Sequence, residues 1–350
     1  MNFASDTERH RLHKPAGRRV RTAGEHAKVE LHAAATSLLR YRYNPTTNKA
    51  RQGILEDRHR LRSPVACLNT RGVSRDATNE KEKPMARETM PSTVDINGRR
   101  WGARAHDWAD IQEQGCRPVY LAVFERVALR SGTAYLDAGC GAGMASQIAA
   151  ERGARVSGLD AADNLLAIAR ARVPDGDLRV GDLERLPFAD DSFDLVTGFN
   201  SFQFAGNPGV ALAEARRVTR PGGDVVIVTW GEPEGMEAAS LLAALKPLLP
   251  PSPAAAPGPF ALSDETALRT FATDAGLDAG EVFDLDSPWQ YADLATALRG
   301  LGSSGVAARA IEEHGQAAVD AAHASALTRF RRPNGSYTIA ASFRCLLARA

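Results

Sequence analysis

The chain has 350 residues, of which 44% are hydrophobic, and a formal net charge of +1, so most of it should form one or two globular domains. The four cysteines include no C-x-x-C pair, which argues against a zinc site or a disulfide framework. No stretch approaches the roughly 18 apolar residues of a membrane span, and the N-terminus lacks a secretory apolar run. We therefore expect a soluble, cytoplasmic protein.

The near-neutral total hides two parts of opposite charge. Residues 1–90 include 19 basic and 10 acidic residues, whereas residues 91–350 include 24 basic and 32 acidic residues. No period of 2 or 3.6 persists in residues 1–90, which predicts a basic, mostly disordered leader. Such a leader could bind nucleic acid or act as a transit peptide, although charge runs are more often simply solvated. Alternatively, translation begins at Met85 or Met90, where the composition changes.

A regular pattern begins near residue 105 with a helical apolar repeat that extends to residue 127 and is broken at 115–118. Strands and helices then alternate. Strands are predicted at residues 134–137, 155–159, 178–180, 193–199 and 224–230, with helices at 144–152, 162–172 and 209–219. This alternation predicts an α/β fold with a parallel, doubly wound sheet.

The pattern weakens after residue 230. We predict a helix at 235–249, a proline-rich loop, a helix capped by Ser263, a strand at 282–285, helices up to 327 and a last strand at 336–347. Residues 91–350 should therefore form one domain. A helical insert at about 287–330 is expected on the acceptor side of its site.

The first chemical motif is the loop Asp137-x-Gly139-x-Gly141-x-Gly143, between a strand and a helix. Glycines permit positive φ and close backbone approach to a ligand, and the helix N-terminus offers free N–H groups. Met144 stands where a dinucleotide fingerprint needs glycine or alanine, which argues against NAD or FAD. By itself the loop fits a tight structural turn as well as a nucleotide site.

Two acidic residues follow the next two strands. Asp160 could accept hydrogen bonds from two ribose hydroxyls, or cap the helix that starts at 162. Asp182 could accept from an adenine amino group while Leu183 packs on the ring, or it could cap a turn. With the glycine loop, the two acids suggest a three-point nucleotide-type site.

The segments "LDAGCGAG", "LPFADDSFDLVTG" and "RVTRPGGDVVIV" follow one another along the chain. In sequence, order and spacing they resemble the motifs of class I S-adenosylmethionine-dependent methyltransferases, particularly the small-molecule, ubiquinone/menaquinone-biosynthesis-like (type 11) group. The resemblance is strong over residues 100–230 and extends in outline to 350. It implies a Rossmann-like fold with a seven-stranded, mostly parallel sheet, and S-adenosyl-L-methionine as cofactor.

The resemblance also implies roles for individual residues. Asp137 would face the cofactor's ammonium, and Asn200 with Ser201 would lie under its sulfonium. Gln203 would face the acceptor, and His106, in the covering helix, is a candidate base. The cofactor-binding residues expected are Asp137, Gly139, Cys140, Gly141, Gly143, Asp160, Ala161, Asp182, Leu183, Asn200 and Ser201.

A dedicated base is not obligatory, because direct displacement from a sulfonium depends mainly on alignment. Further candidates are Tyr120, His314 and His323, each of which could equally be an ordinary helix residue. Five aromatic residues could line an acceptor pocket or belong to the core: Phe199, Phe202, Phe204, Trp230 and Trp289.

We expect a small-molecule acceptor. Methylation of RNA or protein is the first alternative, but residues 91–350 are acidic and no Asn-Pro-Pro-aromatic signature follows the fourth strand, so a nucleic acid partner is not expected. A non-catalytic domain that binds the cofactor for regulation is the second alternative. The identity of the acceptor and the oligomeric state stay open.

Overall fold

The computed structural model describes residues 93–250 and 258–350, which belong to a compact unit spanning Pro84–Ala350. The predicted disordered leader lies outside the described residues. Within those two ranges, the structure contains no helix with the length and apolar character that crossing a bilayer requires.

Nine strands follow one another within the described ranges, and seven of them form the main sheet in the order β3-β2-β1-β4-β5-β9-β6. The first five pair in parallel, and β9 is antiparallel to both β5 and β6, so the predicted seven-stranded, mostly parallel sheet is confirmed. The strand order reverses between β1 and β4, which is where doubly wound sheets open a crevice at their carboxyl ends. The strands are β1 (Ala134–Ala138), β2 (Arg155–Asp160), β3 (Asp177–Val180), β4 (Phe193–Phe199), β5 (Thr219–Trp230), β6 (Asp278–Asp286), β7 (Trp289–Tyr291), β8 (Tyr337–Ile339) and β9 (Ser342–Arg349).

Eleven α-helices occur in the described ranges, and several of them cover the two faces of the sheet. Between the second and third, the chain passes through a π-helical turn (Trp108–Gln112) and a 3-10 turn (Glu113–Cys116), where the sequence predicted a break. The helices are α1 (Thr93–Gly102), α2 (Ala105–Asp107), α3 (Arg117–Arg126), α4 (Met144–Glu151), α5 (Asp163–Arg172), α6 (Pro208–Val218), α7 (Glu237–Ala244), α8 (Glu265–Asp274), α9 (Leu294–Leu301), α10 (Gly305–His314) and α11 (Gln316–Leu327).

Two predictions for the C-terminal part are wrong. The last strand is divided into β8 and β9, and β8 pairs with β7, so the predicted helical insert begins with a strand. Ser263 does not cap α8. The carboxylate of Asp264 accepts from Ala267 N at 2.8 Å, because it stands directly before the helix, while Ser263 Oγ donates to Trp230 O.

The two faces of the sheet enter different hydrophobic clusters. Tyr135 and Val226 face the cluster under α3 and α4, whereas Leu136 and Ile227 face the one under α6 and α8, as the alternation of side chains along a strand requires. The second cluster contains Phe202, which is 1% exposed. Phe202 is therefore core and does not line the pocket for which it was a candidate.

Gly198 on β4 leaves the space that the Phe202 ring fills, since a Cβ there would lie 2.2 Å from Phe202 Cε2. We expect Gly198→Ala to lower the free energy of unfolding by about 1–3 kcal/mol through overpacking, measured by urea denaturation. Gly209→Ala is the control, because the nearest atom to a Cβ there is 3.5 Å away in exposed helix and alanine favours helix. Equal stability of the two variants would contradict this packing.

Candidate functional site

A cavity opens at the carboxyl ends of β1 to β4, where the strand order reverses. Residues of α1 and of the segment 108–120 cover one side of it. Residues of α7, β7, α9 and α11 bound the other side. The polar groups at the strand ends therefore share one space with an apolar wall from the C-terminal part.

The three loop glycines serve different purposes. Gly139 (φ +85°) and Gly141 (φ +53°) line the cavity. A Cβ at Gly139 would lie 2.3 Å from Ser201 Cβ, whereas at Gly141 the only neighbour within 4 Å is Trp108 Nε1 at 3.7 Å. Gly143 is buried, and a Cβ there would lie 2.7 Å from Ala169 Cβ. Gly143 thus allows α4 to approach α5 and is not part of the cavity wall.

Asp137 and Cys140 also lie outside the cavity wall. Asp137 is 1% exposed and accepts a hydrogen bond from Ser146 Oγ at 2.7 Å. Cys140 is buried, with its Sγ packed against Gly158. Burial, with a contribution from Glu113, raises the pKa of Asp137 to about 7. In the structure these two side chains point into the core, and contact of Asp137 with a ligand ammonium stays a prediction.

Asp160 lines the cavity together with Ala161. Its Oδ2 accepts from Gly141 N and its Oδ1 from Ala162 N, each at 2.8 Å. The carboxylate thus holds the glycine loop and the start of α5 at once. A carboxylate offers about four acceptor positions, so capacity for a ligand remains.

Asp182 and Leu183 line the next part of the wall, after β3. Asp182 Oδ1 accepts from Glu184 N at 2.9 Å, so the turn-capping role is present. Two carboxylates therefore stand at the ends of adjacent strands.

Asn200 and Ser201 line the cavity after β4. Asn200 has φ +53°, a conformation that asparagine tolerates better than most residues. Its Oδ1 accepts from Gln203 Nε2 at 2.8 Å, and Ser201 Oγ donates to Ala138 O at 2.6 Å. Gln203 is buried outside the cavity wall, so it holds Asn200 and does not face an acceptor as predicted.

The predicted base His106 is exposed on α2 and outside the cavity wall, because the buried side of this short helix is occupied by Ala105. In place of His106, Trp101 and Trp108 line the cavity and cover it on this side. The ring centroids of Trp101 and Trp108 are 5.1 Å apart in an edge-on arrangement, and Phe204 lies 5.4 Å from Trp101. Trp101 was not predicted, since its helix begins before the regular pattern.

A buried ion pair fixes this cover. Glu113 and Arg172 form a salt bridge, with the Glu113 side chain 2% exposed. Arg172 also donates to Ala142 O and Ala109 O, and Glu113 Oε1 accepts from Met144 N. Burial raises the pKa of Glu113, while Arg172 opposes the rise. The partners are 59 positions apart, and no local pattern signals them.

The far wall is aromatic and apolar. Phe199, Phe204, Trp230 and Trp289, all predicted candidates, line the cavity. Trp230 stacks on Phe343 and meets Trp289 edge-on at 5.7 Å. Two further predicted candidates, Tyr120 and His323, also line it, whereas His314 is exposed on α10.

Residues 136–227 match a family model described as a methyltransferase domain. The chain is 39% identical over 111 residues to a demethylmenaquinone methyltransferase of Renibacterium salmoninarum, which covers 32% of this chain and 47% of that protein. It is 41% identical over 98 residues to a malonyl-[acyl-carrier protein] O-methyltransferase of Serratia marcescens, covering 28% of this chain and 38% of that protein. The chain thus spans less than half the length of these relatives.

Among solved structures, the crystal structure of the [4+2]-cyclase SpnF matches with a TM-score of 0.50 and 19% identity, covering 74% of this chain and 97% of that one. This likeness shows the fold alone.

Removing Arg172 should leave Glu113 buried without its partner. We expect Arg172→Met to lower the free energy of unfolding by about 3–5 kcal/mol, measured by chemical denaturation. The double variant with Glu113→Gln should recover part of the loss, because the uncompensated charge is gone. Arg170→Met, in an exposed pair with Asp163, should cost less than about 1 kcal/mol. A loss that the double variant does not reduce would contradict this role.

The buried Asp137 carboxyl should give stability a measurable pH dependence. Its pKa is raised from 3.8 to about 7 on folding, so the folded state binds more protons and this residue's contribution falls as pH rises through that window. We expect the stability of Asp137→Asn relative to the parent to increase between pH 4 and pH 7, measured by thermal unfolding in a pH series. Parallel profiles would show that the carboxyl is not perturbed.

Proposed function

We propose that this chain, which carries a class I S-adenosylmethionine-dependent methyltransferase domain, transfers a methyl group from S-adenosyl-L-methionine to a small-molecule acceptor. The observation that supports the proposal best is the placement of Asp160 and Asp182. Both carboxylates line the same cavity as Gly141, and this cavity continues to an apolar wall. The same space can therefore take a polar, cationic donor at one end and an apolar acceptor at the other.

The residues present suit the donor. In the described part of the wall, the only carboxyl groups are those of Asp160 and Asp182, and no lysine or arginine belongs to it, which favours a cationic ligand over an anionic one. Asp160 retains acceptor positions for ribose hydroxyls, and Leu165 with Leu183 offers apolar surface for a purine ring. Gly141 leaves room for close backbone approach.

When bound, S-adenosyl-L-methionine supplies a methyl group on a sulfonium that is displaced directly. The chain's contribution is to hold and orient the ligand and to shield it from water. Asp160 fixes the glycine loop while it holds the ligand, and Gln203 orients Asn200. Trp101 and Trp108 exclude water from above. Such positioning can be worth about 7–11 kcal/mol of a barrier, so neither His106 nor Gln203 is assigned as a catalytic residue.

The chain spans less than half the length of the relatives, so the class of acceptor is proposed from this chain's own cavity together with those relatives. A small molecule is supported by the relatives' names and by the enclosed aromatic wall. The negative cavity disfavours a nucleic acid.

We further propose that residues 91–350 constitute the catalytic domain and that residues 1–90 are dispensable for cofactor binding. A cytoplasmic location is supported by Cys116, Cys140 and Cys345, which are free thiols among the described residues.

The donor site is tested by calorimetry with S-adenosylhomocysteine. We expect Asp160→Asn to weaken binding at least tenfold, because a hydrogen bond to a charged group is worth about 1.5–3 kcal/mol. Asp163→Asn is the matched control, three positions later and exposed on α5, and should bind like the parent. Unchanged binding in Asp160→Asn, with the protein folded, would refute this site.

Turnover is tested by incubating the full chain with methyl-labelled cofactor and a panel of phenols, amines and carboxylic acids. We expect label in at least one small-molecule product and none in added RNA. Label that appears only in RNA or protein would overturn the choice of acceptor class.

A further inference from the structure

The cavity wall contains one polar side chain, Gln112, that the proposed donor site does not use. Gln112 ends the π-helical turn Trp108–Gln112, lines the cavity and is 7% exposed. Turns of this kind are rare and are often found at functional sites. Trp108, at the start of the turn, lies beside Gly141 at the donor end. Gln112, at the end of the turn, contacts the C-terminal part of the chain.

The carbonyl oxygen of the Gln112 amide is held by two elements of the C-terminal part. Tyr291, on β7, donates its hydroxyl proton to Gln112 Oε1 at 2.7 Å. Gly300, on α9, packs against the same oxygen, since a Cβ at Gly300 would lie 3.1 Å from it. Neither Tyr291 nor Gly300 belongs to the described wall of the cavity. Oε1 is therefore turned toward groups that lie behind the wall.

The nitrogen of the Gln112 amide is left for a ligand. Nε2 has no hydrogen-bond partner among the described residues. It is also not one of the fully buried atoms without a partner, a group to which Gln203 Oε1 and Trp289 Nε1 belong, so Nε2 has accessible surface. Because the side chain lines the cavity and is otherwise buried, this surface opens to the cavity. An amide nitrogen presents two N–H donors.

The described wall of the cavity offers no positive charge to an acceptor. No lysine or arginine belongs to it. Burial, opposed by Asp320, lowers the pKa of His323 to about 4, so the imidazole on this wall is uncharged at neutral pH. An anionic acceptor would lose its hydration in the cavity without gaining a cationic partner, which is strongly unfavourable.

The C-terminal part adds apolar surface to the same wall. Trp230, Leu241, Trp289 and Leu301 line the cavity from β5, α7, β7 and α9. Such a wall favours an apolar or aromatic body through the area that binding removes from water. Gln112 is thus a neutral donor in a cavity that has apolar surface for the rest of the acceptor.

We propose that the acceptor has an apolar body and an uncharged carbonyl oxygen, that Gln112 Nε2 donates a hydrogen bond to this oxygen, and that Tyr291 positions Gln112. The inference rests on the proposed function and names the class of its acceptor. A carbonyl oxygen satisfies the amide N–H, whereas a methylene group of the same shape leaves it without a partner. A carboxylate also accepts, but one neutral amide cannot replace its hydration. Gln112 is assigned to recognition, and no proton transfer is assigned to it.

The test compares three probes of one shape, 2-acetylnaphthalene, 2-isopropenylnaphthalene and 2-naphthoate, which are a ketone, a hydrocarbon and a carboxylate. Binding to the full chain is measured by equilibrium dialysis with saturating S-adenosylhomocysteine. The ketone should bind about tenfold more tightly than the hydrocarbon, which corresponds to one satisfied hydrogen bond. The carboxylate should bind most weakly. Equal binding of the ketone and the hydrocarbon, tightest binding of the carboxylate, or no saturable binding of any probe would overturn the proposal.

Variants assign the effect to the residues. Gln112→Met, which keeps the length of the side chain without its N–H groups, should abolish the preference for the ketone over the hydrocarbon. Gln114→Met, at an exposed glutamine two positions later, is the matched control and should keep the full preference. A preference that survives in Gln112→Met would overturn the role of Gln112. If Gln112→Met does not fold because Tyr291 has lost its hydrogen-bond acceptor, the double variant with Tyr291→Phe removes both partners and provides the same comparison.

The positioning role of Tyr291 has a test of its own. Tyr291→Phe should reduce the ketone preference roughly threefold, because the freed amide can turn its oxygen toward the cavity. The hydrocarbon should bind to this variant as it does to the parent. An unchanged ketone preference, or equal losses for the two probes, would overturn the positioning role.

Binding of S-adenosylhomocysteine, measured by calorimetry, separates this inference from the function on which it rests. If the parent fails to bind it, the proposed function fails. If the parent binds it and shows no ketone preference, only the present inference fails. Gln112→Met should bind it as the parent does. Weaker binding by this variant would show that the amide serves the donor, which would also overturn the inference.

Discussion

The ion pair of Glu113 with Arg172 joins the three parts of the structure on which the cavity depends. Arg172 ends α5, Glu113 lies in the irregular segment that covers the cavity, and both bond to the backbone around the glycine loop. Because the Glu113 side chain is buried, losing Arg172 would leave a buried charge without a partner. The cover, loop and helix therefore keep one relative position, and Trp108 is held above Gly141.

At the strand ends, single carboxylates also serve two purposes. Asp160 bonds Gly141 N and Ala162 N while it lines the cavity, so a single carboxylate both shapes the loop and faces the ligand. Asp182 caps a turn and lines the cavity as well. The structural and ligand-binding interpretations of these acids are therefore compatible. A substitution at either residue should be judged by stability and binding measured together.

The cavity is divided by charge. Its donor end presents two carboxylates, and its acceptor end presents indole, leucine and a neutral imidazole. Such a division separates a cationic ligand from an apolar one without a physical barrier, because each avoids the surroundings of the other. The C-terminal part supplies Trp289 and His323, so the elements that follow the common sheet are where selectivity for the acceptor should be determined.

The sequence by itself determined the seven-stranded fold and the order of the motifs, since strand, turn and helix signals are local and the polar residues follow strand ends. Only the tertiary structure decided which way each side chain faces. Asp137 and Gly143 belong to the predicted loop yet pack into the core, and His106 is exposed on a short helix. The direction of a side chain depends on neighbours that are distant in sequence, as the pair of Glu113 and Arg172 shows. The periodicity of the sequence carries no information about such neighbours.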